Sequence, residues 1–120
     1  MNDRLEPLIR ILLGSSIAIG PGKAALLEAI GDTGSIAAAG RRMGMSYRRA
    51  WLLAKTMNAC FRGPLIEATK GCVGGGGARL TRMGREVLAL YRVMEDHAAT
   101  VVIPVMEKLR SLMVDQPPED

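Results

Sequence analysis

The sequence predicts one mainly α-helical domain with small β-hairpins, and three observations carry that expectation. The chain has 120 residues, 48% of them hydrophobic and only 3% aromatic, which suits a single domain with a modest core. Long stretches place apolar residues at helical spacing behind Ser or Thr caps. Glycine clusters, above all the four consecutive glycines 74–77, fall between short apolar runs of the kind that form hairpins.

The first element is "LIRILLGSSIAIG" (8–20). Leu8 to Leu13 and Ile17-Ala18-Ile19 flank Gly14-Ser15-Ser16, a turn signal, so an N-terminal β-hairpin is expected, ended by Pro21 and Gly22. "KAALLEAIG" (23–31) has Leu26, Leu27 and Ile30 on one face and is read as a first helix stopping at Gly31. Ser35 is a good N-cap for "IAAAGRRM", and Gly44 can take the left-handed conformation that ends that helix. Ser46 then caps a further helix from 47 to about 61. Two helices joined by a three- to four-residue turn form a helix-turn-helix, here about 35–62. Ala39 and Gly40 stand where the helices cross, with Met43 and Met45 plugging the turn.

At 100° per residue the second of these helices divides into two faces. Tyr47, Ala50, Trp51, Ala54, Met57, Asn58 and Phe61 form the expected core face, with Trp51 as a packing anchor. Arg48, Leu52, Lys55, Thr56, Ala59 and Arg62 form the other, with Arg49 at its edge and no acid anywhere on it. A basic helix face of this kind suits a DNA major groove, and recognition helices read bases mainly with their N-terminal residues. Leu65 to Thr69 and Ala78-Arg79-Leu80 then read as the strands of a second hairpin, about 64–81, with the glycines at its tip. A hairpin after a helix-turn-helix is a wing, and bare backbone there could approach phosphates closely. Thr81 caps a last helix, about 81–113, whose seam of Val87, Tyr91, Met94, Ala98, Val101, Val105, Leu109 and Leu112 suits a partner helix. Pro104, after Val101-Val102-Ile103, is expected to kink or break it. The predicted architecture is a winged helix-turn-helix with an N-terminal β-hairpin and a long C-terminal dimerisation helix.

Charge supports a polyanionic partner. Residues 33–85 hold ten bases against the single acid Glu67, whereas residues 1–32 and 86–120 are net acidic. One-sided concentration of this kind points to nucleic acid. Lys70 lies in this block and is expected to contact phosphate on any sequence. No apolar run reaches the roughly 18–20 residues of a membrane span. The 8–20 segment carries Arg10 and follows Asp3 and Glu6, unlike a secretory leader, so no membrane association and a cytoplasmic location are expected. Cys60 and Cys72 are expected to be free thiols. One histidine and no CxxC leave little for a metal site, and no acid–base pair or nucleophile set is recognisable, so neither catalysis nor a cofactor is expected. The glycine run lacks the Lys-Ser/Thr of a phosphate loop.

The pieces "LLEAIGDTGSIAAAGRRMGMSYRRAW", "NACFRGPLIEAT" and "GGGGARLTRMG" resemble the N-terminal winged helix-turn-helix domain of ModE-type molybdenum-dependent transcriptional regulators, over about residues 17–95. LysR-type regulators share a similar layout but not the SYRRAW helix start or the four-glycine wing. The resemblance implies a homodimer on double-stranded DNA, with the helix starting at Ser46-Tyr47 in the major groove and the wing on the backbone. It nominates Ser46, Tyr47, Arg48, Arg49 and Lys55 on the helix, and Gly74, Gly75, Gly76, Gly77 and Arg79 on the wing. The dimer interface is expected at Val87, Tyr91, Met94, Ala98 and Val101. Wings of this family usually carry a base directly before the glycines, where Cys72-Val73 stand here. Full-length members continue into oxyanion-binding domains that sense molybdate. None is recognisable in these residues, so molybdate binding by this chain is not expected. The alternatives are a winged helix that binds a protein partner, and a LysR-like fragment answering to an unrelated signal.

Overall fold

Hydrogen bonding at three helix starts organises the chain. The computed structural model describes residues 6–72 and 75–119. Among them it is a mixed α/β structure of four helices and two two-stranded antiparallel hairpins. In the first hairpin, β1 (Ile11–Leu13) pairs with β2 (Ser16–Ile19). Ala18 and Ile19 turn inward, while Leu12 and Leu13 stay exposed. Pro21 does not end the hairpin as a spacer. It opens helix α1 (Pro21–Thr33) in its first turn, where its missing N–H would have had no partner in any case. α1 also runs past Gly31, whose bare face lies against Leu80, and closes at Gly34, whose N–H donates to the Ile30 carbonyl at 2.8 Å.

α2 (Ile36–Arg42) and α3 (Tyr47–Cys60) start where their caps predict. Ser35 Oγ accepts from Ala38 N, and Ser46 Oγ from Arg49 N, both at 3.1 Å. Gly44 between them has φ +69°, a conformation costly for a residue with a Cβ. The helices touch at Gly40, where an added Cβ would lie 3.3 Å from that of Ala50.

The second hairpin joins β3 (Ile66–Cys72) to β4 (Gly75–Leu80), with Ile66 opposite Leu80, Glu67 opposite Arg79 and Thr69 opposite Gly77. Gly75, Gly76 and Gly77 are therefore strand residues and not the tip; Gly74 lies outside the described residues. Gly77 has a packing reason for its identity. A Cβ there would sit 2.7 Å from both the Gly34 carbonyl oxygen and Thr69 Oγ1, far inside van der Waals contact. Next to it, Ala78 N donates to Gly34 O at 2.9 Å. The bare strand thus lies against the turn between α1 and α2.

α4 (Arg82–Arg110) starts under the Thr81 cap, whose Oγ1 accepts from Gly84 N at 2.9 Å. The helix does not break at Pro104. Proline removes one helical N–H and frees the carbonyl four residues back. That carbonyl belongs to Thr100, on an exposed stretch, where solvent can satisfy it. At 1.5 Å per residue, 29 residues span about 44 Å, so α4 accounts for most of the 55 Å long axis. Only its first part packs on the core, which α1 supplies with Leu26, Leu27 and Ile30, α3 with Ala50, Ala54 and Met57, and the second hairpin with Ile66, Ala78 and Leu80.

Two expected positions are corrected here. Tyr91 is fully buried within its own chain, with its hydroxyl donating to the Ile9 carbonyl at 2.7 Å. Burial pushes that hydroxyl above the usual tyrosine range, Glu95 adds to the effect and Arg92 partly offsets it. Tyr91 therefore anchors the N-terminal segment to α4 and is not available to a partner. Trp51 is the converse: expected in the core, it is 42% exposed. The buried face of α3 is rotated towards Ala50, Leu53, Ala54 and Met57, which leaves Tyr47 and Trp51 on its flank.

Candidate nucleic-acid interface

Helix α3 presents its bases in the order its spacing dictates. Arg48 and Arg49 lie in the first turn, Lys55 nearly two turns on, and Arg62 just past the end; all four are exposed. The turn before the helix is flanked by exposed Arg41 and Arg42. Arg42 is engaged with Asp32 at 2.9 Å. Among the described residues, no acid forms an ion pair with Arg41, Arg48, Arg49, Lys55 or Arg62. Several like charges held on one surface without counter-charges produce a field that attracts polyanions.

The second hairpin is held beside this helix by Asn58. Its Oδ1 accepts from Leu65 N at 2.8 Å and Ile66 N at 3.2 Å, and its Nδ2 donates to Ile66 O at 3.1 Å. One carboxamide thus ties the last turn of α3 to the start of β3. The Gly34 carbonyl ties β4 to the α1–α2 turn, so both strands are fixed relative to α3. Helical spacing puts Asn58 on the expected core face but assigns it no role. A polar side chain among apolar ones on that face is the available signal, since buried carboxamides need partners.

Between α3 and the hairpin lies an open groove of about 570 Å³. Ile36 and Ala37 line it from α2, Tyr47, Trp51 and Lys55 from α3, and Ala68, Gly77 and Ala78 from the strands. Lys55 Nζ sits 5.2 Å from the centre of the Trp51 ring, a cation–π contact worth about 0.5–1 kcal/mol at an exposed site. Among the described residues, no acid lines this groove.

The structure brings Tyr47, Arg48, Arg49 and Lys55 to one exposed helix surface, with Ser46 as its cap. Arg79 stands on the neighbouring strand, exposed, its Nε 2.7 Å from Glu67 Oε1 across the ladder. Gly77 is half-buried and packs against the α1–α2 turn. Gly74 and the side chain of Lys70 lie outside the description. On α4, Val87 packs partly into the core and Ala98 is half-buried, whereas Met94 and Val101 are exposed, Val101 by 73%. Among the described residues no group of three or more His, Cys, Asp or Glu is placed to hold a metal, Cys60 is a free thiol, and no helix is long and apolar enough to cross a membrane.

Comparison with known proteins finds similarity to molybdenum-pterin-binding proteins and to ModE regulators. It is 39% identical over 92 residues to the molybdenum-pterin-binding protein MopB of Rhodobacter capsulatus, an alignment covering 77% of this chain and 34% of MopB. It is 40% identical over 110 residues to MopA of the same organism, covering 89% of this chain and 40% of MopA. It is 35% identical over 89 residues to the DNA-binding transcriptional dual regulator ModE of Escherichia coli K12, covering 74% and 34%. The chain thus spans between a third and two-fifths of the length of these relatives. No family model matches it. A relation to ModE-like proteins is supported over most of the 120 residues.

The Asn58 bridge yields a direct expectation. Asn58→Ala removes two acceptor bonds and one donor bond, leaving the Leu65 and Ile66 amides without their partner, at a cost of about 1–3 kcal/mol. Hydrogen exchange should accelerate at Leu65 and Ile66 while the amides of α1 keep their protection. Unchanged exchange at both positions would show that the hairpin is held by other contacts.

Proposed function

We propose that this chain is a DNA-binding domain of a ModE-like transcriptional regulator, without enzymatic activity and acting in the cytoplasm. α2, the Gly44 turn and α3 act as its helix-turn-helix and the β3–β4 hairpin as its wing. The observation that carries the reading is the exposed basic surface of α3, free of acid partners among the described residues and flanked by a fixed hairpin. The Escherichia coli ModE relative bears a name that states DNA binding, in agreement with it. α3 enters the major groove, where Arg48 and Arg49 in its first turn reach base edges. Lys55, Arg79 and Lys70 neutralise phosphates, Arg79 after exchanging Glu67 for the backbone. The names of MopA and MopB, in which molybdenum-pterin binding is stated, agree with a molybdenum-related role for the genes controlled.

Binding-site selection followed by titration tests the reading. Affinity should fall with salt at a log–log slope near −0.9 per phosphate neutralised. Arg48→Ala should cost about 1–3 kcal/mol on the selected site and relax preference at one base pair. An equal loss on random duplex would remove Arg48 from the base-reading set. Flat salt dependence would remove DNA as the partner.

The reading includes a symmetric dimer. One such module reads too few base pairs for genomic specificity, and paired half-sites about one helical turn apart are the usual remedy. The seam of α4 beyond the core supports it: Val101, Val105 and Leu109, with Leu112 just past the helix end, are all exposed, an apolar row of the kind a partner covers. Val101→Asp should yield a monomer with much weaker DNA binding. Light scattering that finds the wild-type chain monomeric at micromolar concentration, yet tightly bound to its site, would sink this part of the proposal.

We propose further that these residues hold no tight molybdate site. A tetrahedral oxyanion needs several converging donors shielded from water, and the groove is open, with Lys55 the one cation among its described lining residues. Calorimetric titration should find weak uptake with no preference over sulfate; micromolar, sulfate-resistant binding would contradict it.

A further inference from the structure

We infer that the groove between α3 and the β3–β4 hairpin is a seat for one sugar–phosphate strand of the duplex, with Trp51 as its apolar floor and Lys55 as its phosphate contact. This rests on the DNA-binding reading and adds a residue class to it: an aromatic positioning contact that reads no base.

Trp51 leaves a large apolar surface open. Tryptophan carries one of the largest side-chain surfaces, and Trp51 remains 42% exposed, with Tyr47, one turn earlier on the same flank, at 58%. The core does not lack room on that side by accident of packing. Asn58 and the Gly34 carbonyl hold the hairpin at a fixed distance, so the flank opens onto a groove and not onto a neighbour. The rest of the lining is mostly apolar, with Ala37, Ala68, Gly77 and Ala78 among its small members and Ser35 and Asn58 its polar ones. Lys55 places its ammonium 5.2 Å from the ring centre, and among the described residues no acid lines the groove.

An occupant must therefore be anionic at the rim and apolar at the floor. A deoxyribose–phosphate strand has that character: the sugar presents a CH-rich face that an indole can cover, and the phosphate meets a cation. Placement agrees with chemistry. With α3 in the major groove and the hairpin over the neighbouring backbone, the strand that walls the groove must pass between them, and this groove is the space between them. Phosphate and sugar contacts fix register and orientation without carrying sequence information. Trp51 is thus a positioning residue for the bases on the first turn of α3.

Trp51 is the single tryptophan of the chain, so its emission reports on this groove alone. The experiment titrates the wild-type protein with end-labelled duplexes, reading binding by label anisotropy and Trp51 by acrylamide quenching. At saturation the quenching constant should fall several-fold, on selected and random duplexes alike. Trp51→Ala should weaken both duplexes several-fold and by a similar factor, with an unchanged salt slope, and Trp51→Phe should restore most of the affinity. Lys55→Gln should also weaken both, but with a shallower salt slope. Full acrylamide access to Trp51 in a saturated complex overturns the proposal while leaving DNA binding intact. A loss confined to the selected duplex overturns it in favour of a base contact. Protection that rises with protein concentration without DNA assigns the groove to a second copy instead. Absence of any anisotropy change removes both this inference and the reading it rests on.

Discussion

Everything at the proposed interface depends on how the second hairpin is fixed to α3, and that joint is the carboxamide of Asn58. A two-stranded hairpin is marginal by itself. This one gains its position from two polar ties on opposite strands: Asn58 on β3 and the Gly34 carbonyl on β4. Each tie satisfies backbone groups that would otherwise need solvent, so loosening one exposes unpaired amides as well as losing a contact. The basic side chains of α3 are long and adaptable. The spacing between helix and hairpin is set by short, part-buried bonds and is not.

The same constraint accounts for the glycines. Their density first reads as a device for approaching DNA. The structure gives Gly77 a different reason, since its missing Cβ is what lets β4 lie against the α1–α2 turn close enough for Ala78 N to reach Gly34 O. Gly84 behaves alike at the other end of the strand: a Cβ there would overlap the Leu65 carbonyl, so α4 can begin directly under β3. Bare backbone serves intramolecular approach at both positions. A role at a ligand surface is left to the glycines nearer the tip.

What was legible in the sequence was local. Ser35, Ser46 and Thr81 each accept the bond a cap is expected to accept, because a cap depends on three or four consecutive residues. Gly44 announced its turn for the same reason. The illegible features depended on distant partners. Pro21 suits the end of a hairpin and the start of a helix equally well, and only the packing of α1 chooses between them. On α3, hydrophobicity assigns Trp51 to the core, whereas Leu53 packs there because the hairpin stands away from Trp51. Tyr91 lies on a seam of regular spacing that continues far beyond the core, and nothing in the spacing marks where the covered part ends. The tie to Ile9, 82 residues away in sequence, decides it.

The composition of the core then bears on the charge of the surface. α2 and α3 meet at Gly40 and Ala50, with Ala39 and Ala54 also buried, residues that contribute little buried area each but allow the helix axes to approach closely. Little of the girth of α3 is consumed by this contact, so most of it remains free for exposed side chains, and these are mostly basic or small. Mutual repulsion among Arg41, Arg48, Arg49, Lys55 and Arg62 opposes folding, and the close alanine contact, the two serine caps and the Lys55–Trp51 pair are what the fold sets against it. A polyanion lying on this surface would remove the repulsion at the same time as it makes its contacts. Occupancy and stability should therefore rise together, with the coupling weakening as salt screens the bases.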